Sequence, residues 1–134
     1  MDGHRFVRDA VRQGASCVVV HRDLHRSAYG VAAVVKVRDT LRALGDLAHY
    51  RRECIRPESV GDHWINGKTT TKEMLAAILE EAYVDQKSLR GRLLKTEGNF
   101  NNLVGLPLTL LRLHKSNRVA VVELGTNHPG EINV

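Results

Sequence analysis

Short apolar runs of strand length alternate with amphipathic helical patterns along this chain, and few folds accept that alternation. Ser16-Cys17-Val18-Val19-Val20 and Val31 to Val37 are two such runs, and Leu93-Leu94-Lys95-Thr96 is a shorter one. The clearest is Arg118-Val119-Ala120-Val121-Val122-Glu123-Leu124-Gly125. Helical patterns fall between them. Phe6, Val7, Ala10 and Val11 form one stripe, stopped by Gly14. Leu41, Leu44, Leu47, Ala48 and Tyr50 form another, behind a cap at Asp39 or Thr40. Further helices are predicted from about Lys68 to Ala82 and over Gly105 to Leu113, the latter tolerating Pro107 in its first turn. Charged Arg51 to Pro57 has the composition of a linker. Strand and helix in alternation predict parallel βαβ units, hence an α/β fold.

The helix predicted at Lys68 opens on Asn66-Gly67-Lys68-Thr69-Thr70-Thr71-Lys72-Glu73, the second half of a phosphate-binding loop. Each residue type has a physical job there. Gly67 lets backbone N–H groups approach phosphates with no Cβ in the way. Lys68 supplies a point charge, through a hydrogen bond worth roughly 1.5–3 kcal/mol. The Thr69 hydroxyl is a hard oxygen ligand suited to Mg2+. A helix N-terminus would add its partial positive charge. The upstream half departs from the pattern, because five residues rather than four separate Gly61 from Gly67. Trp64 and Ile65 put bulk where backbone should wrap a phosphate, and Pro57 to His63 is not an apolar β-branched run, so no strand is expected before the loop.

Glu123 closes an otherwise apolar strand. Ligands of open parallel sheets gather beyond the strands' carboxyl ends; alone this acid could equally be a solvated strand-end glutamate, but paired with Lys68 and Thr69 it suits a metal. Gly98-Asn99-Phe100-Asn101-Asn102 gathers three carboxamides, more than one helix cap needs, and a polar ligand is expected beside the simpler reading of a turn plus cap. Asn127 and His128 follow Glu123 and belong to the same edge, where His128 is a substrate contact or an exposed loop histidine. His21 and His25 stand four apart in a loop without a third ligand nearby, which argues against zinc.

Length and charge narrow the function classes. The 134 residues allow one domain or parts of two. Lys and Arg number 20 against 15 Asp and Glu, but they are scattered, and aromatics at 4% offer few stacking platforms. A small anionic ligand is therefore favoured over nucleic acid. Cys17 and Cys54 match no metal or CxxC spacing and suit reduced thiols in a cytoplasmic protein. No apolar stretch of membrane-spanning length and no signal peptide is present in the sequence, so no membrane role is expected.

Taken in order, the Asn66–Glu73 loop, Leu94-Lys95-Thr96-Glu97-Gly98-Asn99-Phe100-Asn101-Asn102, Gly105-Leu106-Pro107-Leu108-Thr109 and Val122-Glu123-Leu124-Gly125-Thr126-Asn127-His128-Pro129-Gly130-Glu131-Ile132 resemble the Mur ligases. Asp2-Gly3-His4-Arg5-Phe6-Val7 and Thr40-Leu41-Arg42-Ala43-Leu44-Gly45 resemble that family's N-terminal domain. The resemblance implies a partial N-terminal α/β domain over residues 1–56, then part of a P-loop parallel-sheet nucleotide-binding domain over 57–134. It implies an ATP-dependent amide ligase of peptidoglycan precursor synthesis. Such an enzyme joins D-alanyl-D-alanine to UDP-N-acetylmuramoyl-tripeptide through an acyl phosphate. Both substrates are small molecules, and no protein partner is implied.

By the same resemblance Lys68 and Glu123 are catalytic, and Asn66, Gly67, Lys68, Thr69 and Thr70 bind ATP. Thr69 and Glu123 hold Mg2+, while Asn99, Asn101, Asn102, Asn127 and His128 face the muramoyl-peptide substrate. The chain departs from the family in reading His63-Trp64-Ile65 where the family has Thr-Gly-Ser. Codons for Gly61 to Ile65 read one nucleotide later can spell Val-Ile-Thr-Gly-Ser, so a paired frame slip is expected there. The sequence also lacks the family's later metal-site histidine, carbamylated lysine and C-terminal domain, so it is expected to be a fragment inactive alone. An inactive gene remnant and an unrelated phosphate-loop module are the competing readings.

Overall fold

The computed structural model describes residues 2–62, 67–84 and 93–125, and its chain divides into two compact units, Met1–Ala43 and Leu44–Val134. The first begins with a 3-10 turn over Gly3–Phe6, followed by α1 (Val7–Arg12). Strands β1 (Cys17–Val20) and β2 (Ala33–Lys36) pair in parallel, Cys17 opposite Ala33. Val18 and Val20 share one face of β1 by strand alternation and pack with Val7, Val11, Leu24 and Tyr29. Gly14 ends α1 at a φ of 101°, a left-handed angle that glycine reaches without Cβ strain.

Helix α2 (Thr40–Ile55) is capped by Asp39, whose carboxylate accepts the N–H groups of Leu41 and Arg42 at 2.8 and 3.1 Å. Those two bonds hold the Asp39 carboxyl below its usual range. The helix differs from expectation twice. It runs through Arg51–Ile55, where a linker was expected, because Ile55 packs on the second unit's core and Arg51 Nε donates to the Leu113 carbonyl at 2.8 Å. Only part of the expected stripe is buried. Leu41, Leu47 and Tyr50 are exposed, whereas Ala48 is fully buried, in step with Arg51 and Ile55 at helical spacing.

The described strands of the second unit, β3 (Glu58–Asp62), β4 (Leu93–Lys95) and β5 (Val119–Glu123), form a parallel sheet in the order β3-β5-β4. Strand β3 corrects the expectation that no strand precedes the loop. Its backbone pairs with β5, Glu58 opposite Val119 and Asp62 opposite Glu123. Ladder hydrogen bonds come from the main chain, and a strand paired on one side needs no apolar run to join them. Every residue of β5 is buried, as a central parallel strand requires. Ala120 and Val122 pack with Leu94, Leu110 and Leu113, with α4 (Gly105–Leu111) on that side. Alternation turns Val119, Val121 and Glu123 towards α3 (Lys68–Val84), whose Lys72 and Ala76 are fully buried. Chain order and strand order together set every β-to-α turn of this sheet at one edge, beyond the carboxyl ends.

Candidate functional site

Gly67 has a φ of 81° and stands immediately before α3, whose first turn it starts by accepting the Thr71 N–H at 2.9 Å. A residue with a Cβ would be strained at that angle. Lys68, Thr69 and Thr70 therefore occupy the helix N-terminus as the loop pattern requires, Thr69 and Thr70 exposed and Lys68 half-buried. Asn66 lies outside the described residues, as do Trp64, Ile65, Asn127 and His128.

Glu123 sits at the carboxyl end of β5 with only 3% of its surface exposed. Every part of that carboxylate is engaged. Thr69 Oγ1 donates to Oε2 at 3.2 Å, and Asn101 Nδ2 donates to Oε1 at 2.7 Å. The Lys72 ammonium lies 3.7 Å from Oε2. The Glu123 backbone N–H donates to Thr96 Oγ1 at 3.0 Å, which fixes the strand end from which the side chain projects. Two of the expected site residues, Thr69 and Glu123, are thus in contact across 54 positions of sequence.

The asparagine loop follows β4 and divides its three carboxamides. Asn101 turns inward to Glu123, and its carbonyl accepts the Gly125 N–H at 2.7 Å. Asn102 Oδ1 accepts the N–H groups of Val104 and Gly105 at 3.1 and 2.8 Å, so this side chain starts α4. Asn99 is exposed at the turn. Reasoning from sequence did not assign a role to Lys72 or Thr96, both fully buried here. A signal existed for the lysine: it falls three residues after Thr69 and four before Ala76, on the sheet-facing stripe of α3. His21 and His25 do not converge. His21 meets the His4 ring edge-on at 4.3 Å, and His25 Nδ1 lies 2.9 Å from Ser27 Oγ.

A divalent cation can be tested against these atoms. Among the described residues no group of three or more His, Cys, Asp or Glu converges, so these residues offer no closed cage. A hydroxyl and one carboxylate meeting beside a helix N-terminus do fit Mg2+, which takes few protein ligands and shares the rest with water and phosphate oxygens.

At the rim, Lys95 Nζ lies 2.9 Å from Glu73 Oε2, and the lysine's hydrogen bond is the main cause holding the Glu73 carboxyl below its usual 4.5. The same bond raises Lys95 above 10.5. A lowered acid contributes stability above its unfolded value and loses it as pH falls through the folded one. A raised base contributes below its unfolded value and loses it as pH rises through the folded one. The pair is therefore fully stabilising from about 4.5 to about 10.5. Lys95→Met should lower the urea midpoint slightly at neutral pH, since this pair is partly exposed. The difference from wild type should close in strong acid; a difference that persists there would contradict the assignment.

Comparison with known proteins gives the same picture. The model of the Mur ligase middle domain matches residues 66–134. The UDP-N-acetylmuramoyl-tripeptide–D-alanyl-D-alanine ligase of Haemophilus influenzae is 47% identical over 98% of this chain, and that of Bacillus subtilis 39% identical over 99%. The chain spans only 27% of either relative's length. Among solved structures, the corresponding Acinetobacter baumannii ligase superposes with a TM-score of 0.80 at 39% identity, over 97% of this chain and 27% of that one. The MurF ligase of Thermotoga maritima in complex with ADP gives 0.78 at 31% identity, over 98% of this chain and 28% of its own. With more than half of its residues matched by the family's middle domain, around a Thr69–Glu123 site, this chain belongs to the Mur ligase family.

Proposed function

We propose that this chain carries the nucleotide-handling part of an ATP-dependent ligase that joins D-alanyl-D-alanine to UDP-N-acetylmuramoyl-tripeptide. Residues 1–56 would supply part of the family's N-terminal domain and 57–134 part of its central domain. The observation that carries the reading is the meeting of Thr69 and Glu123 at 3.2 Å beside the N-terminus of α3. The activity for which the relatives are named and the ADP in one solved relative support the substrates and the nucleotide.

On this reading Gly67, Thr69 and Thr70 give the nucleotide phosphates a helix N-terminus to rest on, and Lys68 adds a cation beside the terminal phosphate. Thr69 and Glu123 are the ligands for Mg2+, which when bound neutralises charge on the transferred phosphoryl group. Asn101 orients Glu123 through its 2.7 Å bond and borders the muramoyl-peptide site together with Asn99 and Asn102. Asn66, Asn127 and His128 belong to the same proposal. The cytoplasm is the proposed compartment; among the described residues no helix is long and apolar enough to cross a membrane.

The test is equilibrium binding of ATP in the presence of Mg2+. Lys68→Ala removes one charge-assisted hydrogen bond, so affinity should fall by about 10- to 150-fold. Equal affinity in the wild-type chain and the variant would defeat the proposal.

A further inference from the structure

Lys72 and Glu123 are the charged side chains buried among the described residues, and they lie against one another. Burying an ammonium is costly unless its hydrogen bonds are met. Lys72 meets them with main-chain carbonyls, donating to Thr96 at 2.8 Å and to Gly98 at 3.2 Å. Glu73 Oε1 at 3.3 Å and Glu123 Oε2 at 3.7 Å complete its surroundings. One ammonium therefore joins helix α3, the start of the asparagine loop and the end of β5.

The loop returns to the same carboxylate by a second route, through Asn101 on Oε1. Glu123 is thus held from both oxygens, and both holds depend on where residues 96–101 sit. A loop needing only to be anchored could be packed with apolar side chains, since a buried ion pair adds little to stability over them. What an apolar side chain lacks is a charge that keeps Oε2 facing Thr69.

We propose that Lys72 is a positioning residue: it ties the asparagine loop to Glu123 and so presets that carboxylate for the metal that accompanies the nucleotide. This rests on the reading that Thr69 and Glu123 hold Mg2+ beside a nucleotide.

The experiment measures ADP binding to the chain in EDTA and again with Mn2+ as the metal probe. The ratio of the two affinities is the metal increment, and circular dichroism checks the fold. Wild type should show an increment, and Glu123→Gln should lose most of it. No increment in wild type, or a full one in Glu123→Gln, overturns the metal reading and this inference with it. Lys72→Met should keep EDTA affinity within about twofold while its increment falls about tenfold or more, a drop worth roughly 1.4 kcal/mol. The double variant Lys72→Met, Glu123→Gln should be no weaker than Glu123→Gln alone. An undiminished increment in Lys72→Met, with Glu123→Gln impaired, overturns the role of Lys72 and leaves the metal reading standing. Equal losses in both buffers would show a purely structural lysine and overturn it too. If Lys72→Met does not fold, Lys72→Arg carries the test, because it keeps the charge but displaces it. Its increment should fall several-fold at unchanged EDTA affinity, and an unchanged increment overturns the proposal.

Discussion

Gly105→Ala should destabilise the second unit by about 2–3 kcal/mol, although the glycine stands at a helix start where alanine is ordinarily harmless. A Cβ built on Gly105 would lie 2.6 Å from both the backbone carbonyl carbon and Cα of Phe100, and 2.9 Å from its Cβ. The two nearest are main-chain atoms and Cβ is fixed by the main chain, so the clash cannot be relieved by turning a side chain. Overpacking of this kind ordinarily costs about 1–3 kcal/mol, and rigid neighbours push it to the upper end. The segment that must move is the asparagine loop, and Asn101 moves with it. The urea midpoint should fall, and nucleotide affinity measured well below that midpoint should fall as well. A midpoint equal to that of wild type would mean that loop and helix are not in contact.

Glu123→Ala should cost about 3 kcal/mol or more, because it leaves Lys72 buried without its nearest buried anion. Asn101 and Thr69 lose their acceptor at the same time. Glu73 stays within 3.3 Å of the lysine but is half exposed, which keeps the expected loss near the lower end for broken buried pairs. Adding Lys72→Met should restore part of the loss, since the stranded charge is then gone. Urea denaturation of both single variants and the double variant gives the coupling directly. Strict additivity of the two losses would show that the side chains do not interact.

Much of this was legible in the residues. The alternation of Val18–Val20, Val119–Val122 and their intervening helices gave parallel strands, because the main-chain period shows through whenever a face is fully buried. Gly67, Lys68 and Thr69 announced a helix N-terminus, since each residue type does there what others cannot. Strand β3 was not legible. Its sequence, Glu-Ser-Val-Gly-Asp, has no apolar pattern, and the hydrogen bonds that make it a strand come from β5, 61 positions away. The buried face of α2 was legible only in part. Leucines mark a face only where something packs against them, and here Ala48 of the expected stripe joins the core cluster with Ile55 packed on it, while Leu41, Leu47 and Tyr50 stay exposed. Lys72 escaped notice because a lysine in a helix is ordinarily solvated, and only the buried acid on the neighbouring strand makes this one different.

The strand order β3-β5-β4 has a consequence for how the chain comes off the ribosome. Of the three described strands of this sheet the central one is made last, and the two that flank it do not pair with one another. At about 5–20 residues per second, β3 waits several seconds for Val119–Glu123 to appear, with α3, β4 and α4 synthesised in between. Throughout that interval the helices have no sheet to cover, and the apolar residues destined for the core stand in water. Val119–Glu123, once made, is then the strand that joins β3 and β4, until that moment without a shared partner, into one sheet.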